Sequence, residues 1–136
     1  MSALIDTGAL LAAIAENDNL HDICTLALEE ESDPLLPYIV LPELAYLILR
    51  DIGYSTLVQF LHSVAAGDLP LVESTSGDLE RAAQLLTQYA DARIDFVDCV
   101  IVAMAERLNI TRILTVDRRH FMLFRPKHCR MFELLP

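Results

Sequence analysis

Glycine is scarce in this 136-residue sequence: there are four, at positions 8, 53, 67 and 77. They do not form the glycine-rich loop that cradles a phosphate in backbone N–H groups, so nucleotide-binding sites of that kind are excluded. Cysteine is limited to Cys24, Cys99 and Cys129, an odd number without a C-x-x-C pair. Neither a secreted disulfide framework nor a thiolate zinc site fits, and the three read as reduced, buried thiols. His21, His62, His120 and His128 show no H-x-x-x-H spacing, and no G-x-S-x-G nucleophile elbow is present.

Long apolar runs are also missing. The chain is 54% hydrophobic, with a mean hydropathy of +0.38. Yet no uninterrupted stretch approaches the about 18 residues of a membrane span. The opening MSALIDTGALLAAIAE has no Lys or Arg ahead of its apolar run and carries Asp6 inside it. That argues against a secretory signal, and a cytoplasmic protein is expected. No Pro/Gly/Ser linker divides the chain, so residues 1–136 are expected to form a single domain.

Positive charge is the scarcer sign, with 10 basic against 20 acidic residues and a net charge of −10. A polyanionic partner would be repelled by such a chain if the charge were spread evenly. It is not. Arg107, Arg112, Arg118, Arg119, Arg125, Lys127 and Arg130 all lie in the last thirty positions, where the only acids are Asp117 and Glu133. The acidic run EEESD at 29–33 reads as a solvated helix end and its loop.

What is present alternates in kind. SALI, LPLVES, RILTV and RMFELL read as strands, the last at a sheet edge. TGALLAAIAE, NLHDICTLALEEE, PELAYLILRDI, STLVQFLHSVAAG, SGDLERAAQLLTQYA, DFVDCVIVAMAERLN and DRRHFMLF read as helices, with Asp33-Pro34 closing the second and Gly53 breaking the third from the fourth. Such alternation predicts an α/β fold of three layers, helices on both faces of a mostly parallel sheet of four to five strands. Tyr46, Tyr54, Phe60 and Phe121 are expected in its core. Helices 41–52 and 54–66 carry more hydrocarbon than one small core readily covers, which points to a further partner surface.

Four acids stand out against this background. Asp98 is the only charged side chain between Phe96 and Ala105, and on a helical wheel it shares a stripe with Val102 and Ala105. Isolating a carboxylate in hydrocarbon costs several kcal/mol unless something meets it. Glu43 lies among Leu41, Leu44 and Leu47, with Arg50 two turns on. Asp6 and Asp117 each close an apolar strand and open a helix. Every one has a plain structural account as a helix cap or first-turn acid, and Asp95 with Asp98 has the spacing of a capping pair. A doubly wound sheet, however, gathers residues from strand ends at one edge. Carboxylates clustered there would repel and call for cations.

The pattern that joins these acids resembles the PIN-domain ribonucleases, most closely the VapC-type toxins of toxin–antitoxin pairs. LIDTGALLA matches the family's first motif, LPELAYLIL its helical Glu motif, and DFVDCVIVAMAERLNITRILTVDRRHF its long third motif. The resemblance covers essentially the whole chain and implies a PIN-like three-layer α/β/α domain. It also implies a metal-dependent endoribonuclease in which Asp6, Glu43, Asp98 and Asp117 bind Mg2+ or Mn2+, with Thr7 and Thr115 as supporting groups. Cleavage would leave a 5′-phosphate and a 3′-hydroxyl. RNA as substrate, an antitoxin partner and a homodimer are implied with it, and Arg118, Arg119 and Arg112 are the candidates to hold the RNA backbone.

One departure stands out: many relatives carry a further acid near the position of His120. Whether Asp95 helps complete a second metal site is left open by the sequence. The alternative is a PIN-like module that binds protein or RNA without cutting. A phosphoacceptor receiver domain is disfavoured, since it needs an adjacent acidic pair early and a late Lys, and Lys127 in RPKHC is the sole lysine.

Overall fold

A computed structural model describes all 136 residues. Five strands, β1 (Ser2–Ile5), β2 (Asp33–Pro37), β3 (Leu71–Val72), β4 (Arg112–Leu114) and β5 (Glu133–Leu135), form one sheet in the order β3-β2-β1-β4-β5. All four pairings are parallel. Seven helices join them: α1 (Thr7–Ile14), α2 (His21–Glu30), α3 (Leu41–Asp51), α4 (Tyr54–Ala65), α5 (Ser76–Gln88), α6 (Phe96–Leu108) and α7 (Arg118–Leu123). The chain steps outward from β1 to β3, then crosses back to lay β4 on the other side of β1. Right-handed crossovers put α1–α4 on one face and α5 and α6 on the other. Contacts follow that division, α1 packing on α2 and α3, α3 on α4, and α5 on α6.

The expected elements form with shortened ends, and one strand is an addition. DPLLP, which reads as loop because two prolines in five residues remove two ladder donors, pairs as β2 in the middle of the sheet. The remaining N–H groups suffice, Leu36 donating to the Pro70 carbonyl at 2.8 Å. The segment read as a strand at 69–74 pairs over two residues only.

The core runs along α6. Residues 98–105 are all buried there, because the helix lies between the sheet and α5 and has no solvent face over those turns. Asp95 caps its start by accepting the Asp98 N–H at 3.0 Å, and Asn109, left-handed at φ 55°, ends it. Helix α5 begins with a reciprocal capping box between Thr75 and Asp78. Phe121 belongs to the core and Phe60 packs at its margin, but Tyr46 and Tyr54 are 62% and 78% exposed, contrary to the expectation for them. Helices α3 and α4 turn these rings outward because their apolar stripes are wider than the single sheet face beneath them.

Candidate functional site

Strand order reverses between β1 and β4, and the two acids expected at strand ends meet at that reversal. Ile5 is in register with Leu114, so Asp6 follows one strand where Thr115 follows the other, and the Asp6 N–H donates to the Leu114 carbonyl at 2.8 Å. This is the crevice where parallel α/β sheets hold ligands. Asp6 is the N-cap of α1, accepting the Thr7 N–H at 2.8 Å, while its other oxygen accepts the Thr115 hydroxyl at 3.0 Å. Asp117 is the N-cap of α7, its own N–H donating to Thr115 Oγ1 at 2.9 Å. Capping and clustering are therefore the same arrangement: helix starts converge at the switch point, and their caps converge with them.

Asp98, in the first turn of α6, comes to the same place from the opposite face of the sheet, and Glu43 comes from the first turn of α3. Asp6, Thr7, Glu43, Asp95, Asp98 and Asp117 line one cleft of about 180 Å3, with Gly8 and Val97 completing the wall. Asp6 and Asp98 are buried, Glu43 and Asp95 exposed, and Asp117 intermediate. A larger groove of about 710 Å3 between α1 and α4 gathers no such cluster; Glu16 and Asp51 are its only charged groups.

Five carboxylates share this cleft, and no arginine or lysine lies within ion-pair distance of any of them. Arg50 pairs with Asp51 rather than Glu43, at 2.7 Å. Burial pushes Asp6 up to about 6, aided by the charges of Asp117 and Asp95 and opposed by its bonds to Thr7 and Thr115. Asp98 is pushed up to about 8, first by burial and then by Asp6, Asp95, Asp117 and Glu43. Its Oδ2 is buried without a hydrogen-bond partner. His120 Nδ1 lies 3.0 Å from Asp117 Oδ2 and 3.4 Å from Asp98 Oδ2, yet makes no hydrogen bond of acceptable angle to either. The sequence marks His120 as a missing acid. The structure sets it behind the cleft wall, within reach of two of the acids, Asp98 and Asp117, through the three-residue spacing from Asp117 on α7.

Of the candidate RNA contacts, Arg118 and Arg119 are exposed at the start of α7 beside Asp117, Arg118 donating to the Pro136 carbonyl at 2.8 Å. Arg112 stands apart from them. It begins β4, at the opposite end of the sheet from the cleft, and is held there by Glu31 and by Glu133. Parallel strands put all their carboxyl ends on one edge, and Arg112 stands on the other.

Fold and site together define a doubly wound α/β domain with an acidic crevice at its switch point, built to attract a cation. Comparison with known proteins makes the assignment specific. A sequence model of the PIN domain matches residues 3–123. Ribonuclease VapC26 of Mycobacterium tuberculosis is 34% identical over 135 residues, 98% of this chain and 99% of the relative. Among solved structures, VapC20 of M. tuberculosis, described as a Sarcin-Ricin loop cleaving toxin, matches with a TM-score of 0.75 at 19% identity, over 82% of this chain and 86% of that one. VapBC2 of Rickettsia felis, bound to a DNA fragment from its promoter, matches with a TM-score of 0.73 at 18% identity over the full length of both chains. The chain belongs to the PIN domain family and, within it, to the VapC-type ribonuclease toxins.

Proposed function

We propose that the protein is an endoribonuclease that depends on Mg2+ or Mn2+ held by Asp6, Asp98, Asp117 and Glu43, and that it acts as the toxin of a toxin–antitoxin pair. The observation that carries this reading is Asp98: a carboxylate with no arginine or lysine partner, one buried oxygen unbonded, facing four more carboxylates across a small cleft. Hard oxygen donors of this kind suit Mg2+ or Mn2+, which bind to a few carboxylates and to substrate phosphate. When bound, the metal makes water a stronger nucleophile and steadies charge on the phosphodiester as the bond to the leaving oxygen breaks.

The protein's part is to position. Thr7 and Thr115 fix both oxygens of Asp6 from two elements, each bond using one of the two lone pairs on its oxygen. Thr115 ties Asp117 to the same point through its backbone. Asp95 supports Asp98 by capping its helix, and as a residue of the cleft wall it is the candidate for a second ion. Arg118 and Arg119, exposed directly after Asp117 in sequence, are suited to phosphates of a bound RNA strand.

Exposed apolar side chains on α3 and α4, among them Tyr46, Leu49, Tyr54, Val58 and Leu61, support a homodimer or an antitoxin seated on those helices. No helix is long and apolar enough to cross a membrane.

The direct test is cleavage of RNA by purified protein with Mg2+ or Mn2+, and by the Asp6→Asn and Asp98→Asn variants. Cleavage should end in both variants while their circular dichroism stays that of the parent. Failure of the parent to cut RNA with either ion, together with undiminished toxicity of both variants on expression, would leave the binding-module reading in its place.

A further inference from the structure

We propose that His120 is a nitrogen ligand of the cation in the cleft and tilts the site toward Mn2+ and away from Mg2+, an inference that rests on the metal-dependent reading above. Three donors carry it. His120 Nδ1, an Asp98 oxygen and an Asp117 oxygen all lie within 4.8 Å of one another. Nδ1 stands 3.0 Å from Asp117 Oδ2 and 3.4 Å from Asp98 Oδ2. Neighbouring ligands on one octahedral ion with bonds of about 2.1 Å lie about 3 Å apart, so the spacing is that of donors sharing a centre.

The competing account is a plain histidine–carboxylate hydrogen bond. The geometry opposes it: an N–H on Nδ1 would point at neither oxygen, and Nδ1 and Asp98 Oδ2 are both buried and unbonded. The Asp98 side chain is only 6% exposed. Two polar atoms that could have satisfied each other by a small ring rotation stay unsatisfied, as expected when a third party is to satisfy both.

The choice of ion follows from the donor set. Mg2+ prefers oxygen and gives up water reluctantly, whereas imidazole suits first-row transition ions. Among those, Mn2+ is the one also at home among several carboxylates. One nitrogen in an otherwise all-oxygen donor set thus favours Mn2+, and an acid at position 120 would favour Mg2+.

The test uses metal-depleted protein titrated calorimetrically with Mn2+ and with Mg2+, and pulsed EPR of the Mn2+-loaded protein, for the parent, His120→Asp and His120→Gln. The parent should show 14N hyperfine coupling from a directly bound imidazole, absent from both variants. The preference for Mn2+ over Mg2+ should fall about tenfold or more in His120→Asp. Mn2+ binding to the parent without nitrogen coupling overturns the proposal, and that measurement needs no variant to fold. A parent that titrates with neither ion overturns the metal-dependent reading and this proposal together, whereas binding without nitrogen coupling overturns this proposal alone.

Discussion

Thr115 joins the two strand ends that make the site: its hydroxyl donates to Asp6 Oδ2 at 3.0 Å and accepts the Asp117 N–H at 2.9 Å. A hydroxyl has one proton to give and two lone pairs to receive with, so a single side chain orders both acids. At 1% exposure Thr115 has no water to replace either bond.

Thr115→Val keeps the shape and removes both bonds. Metal affinity should fall about 10- to 100-fold, as when other partners that orient metal ligands are removed. Stability should fall by about 1–3 kcal/mol, because Asp6 loses a donor in a buried place. Thr115→Ser should recover most of both. Calorimetric titration with Mn2+ and thermal melts decide it, and unchanged affinity in Thr115→Val would remove the residue from the site's machinery.

Crowding of acids without a cation has a pH signature. Asp6 at about 6 and Asp98 at about 8 both lie above the ordinary value of 3.8. From about pH 4 to 8 the folded, ion-free protein therefore keeps protons that the unfolded chain has released, and the stability they confer below that range is lost as pH rises through both values. In EDTA the melting temperature should drop between pH 5 and pH 8, and Mn2+ at pH 8 should restore it by binding the folded state alone. Asp98→Asn should flatten the drop, since its amide is uncharged and can donate to a neighbouring carboxylate. That variant should melt several degrees above the parent at pH 8 in EDTA, equivalent to about 1 kcal/mol or more. A melting temperature that climbs from pH 5 to 8 without metal would contradict the assignment.

Much of this site was readable from residue type and position, and the limits were physical. Asp6, Asp98 and Asp117 are conspicuous because each sits in apolar sequence at a helix start, but a cap and a metal ligand look alike along the chain. Only the strand order, with β4 returning to the side of β1, brings them together. Strand β2 was hidden by Pro34 and Pro37, whose local preference was overridden by pairing on both sides. Arg112 looked like part of a basic end, yet nothing in composition distinguishes the amino from the carboxyl end of a strand. Tyr46 and Tyr54 lie outside the core against expectation because helical periodicity identifies an apolar stripe without saying how much of it one sheet can cover.

A second polar cluster should affect stability alone. Asp78, 3% exposed, receives Arg107 Nε at 3.0 and 3.1 Å and Nη2 at 2.9 Å. Burial would raise its carboxyl, but the bonds from Arg107 and Thr75 outweigh that and hold it below the usual range. Arg107→Ala leaves the carboxylate without its cation and should cost about 1–3 kcal/mol, between an exposed and a fully buried pair because the Arg107 side chain is 36% exposed. The depressed acid contributes stability above its unfolded value, so the gap between variant and parent should close as pH falls below about 4. Thermal melts at pH 7 and pH 3 measure this, and Mn2+ affinity should match the parent because Asp78 lies outside the acidic cleft.

Gly8 lines that cleft immediately after Thr7, and the need for glycine there is steric rather than conformational. A Cβ added there would stand 2.7 Å from Val116 Cγ2. Valine is stiff at χ1 and has no long arm to swing away, so the collision passes to the backbone between Thr115 and Asp117. Those residues carry the hydroxyl that holds Asp6 and the carboxylate that caps α7. Gly8→Ala should therefore lower RNA cleavage at least about tenfold, since a shift near 1 Å at a positioned group costs that much or more. Pairing it with Val116→Ala removes the obstacle and should restore most of the loss. If the double variant stays as impaired as Gly8→Ala alone, the close approach of α1 to the 115–117 turn is not what holds the acids in place.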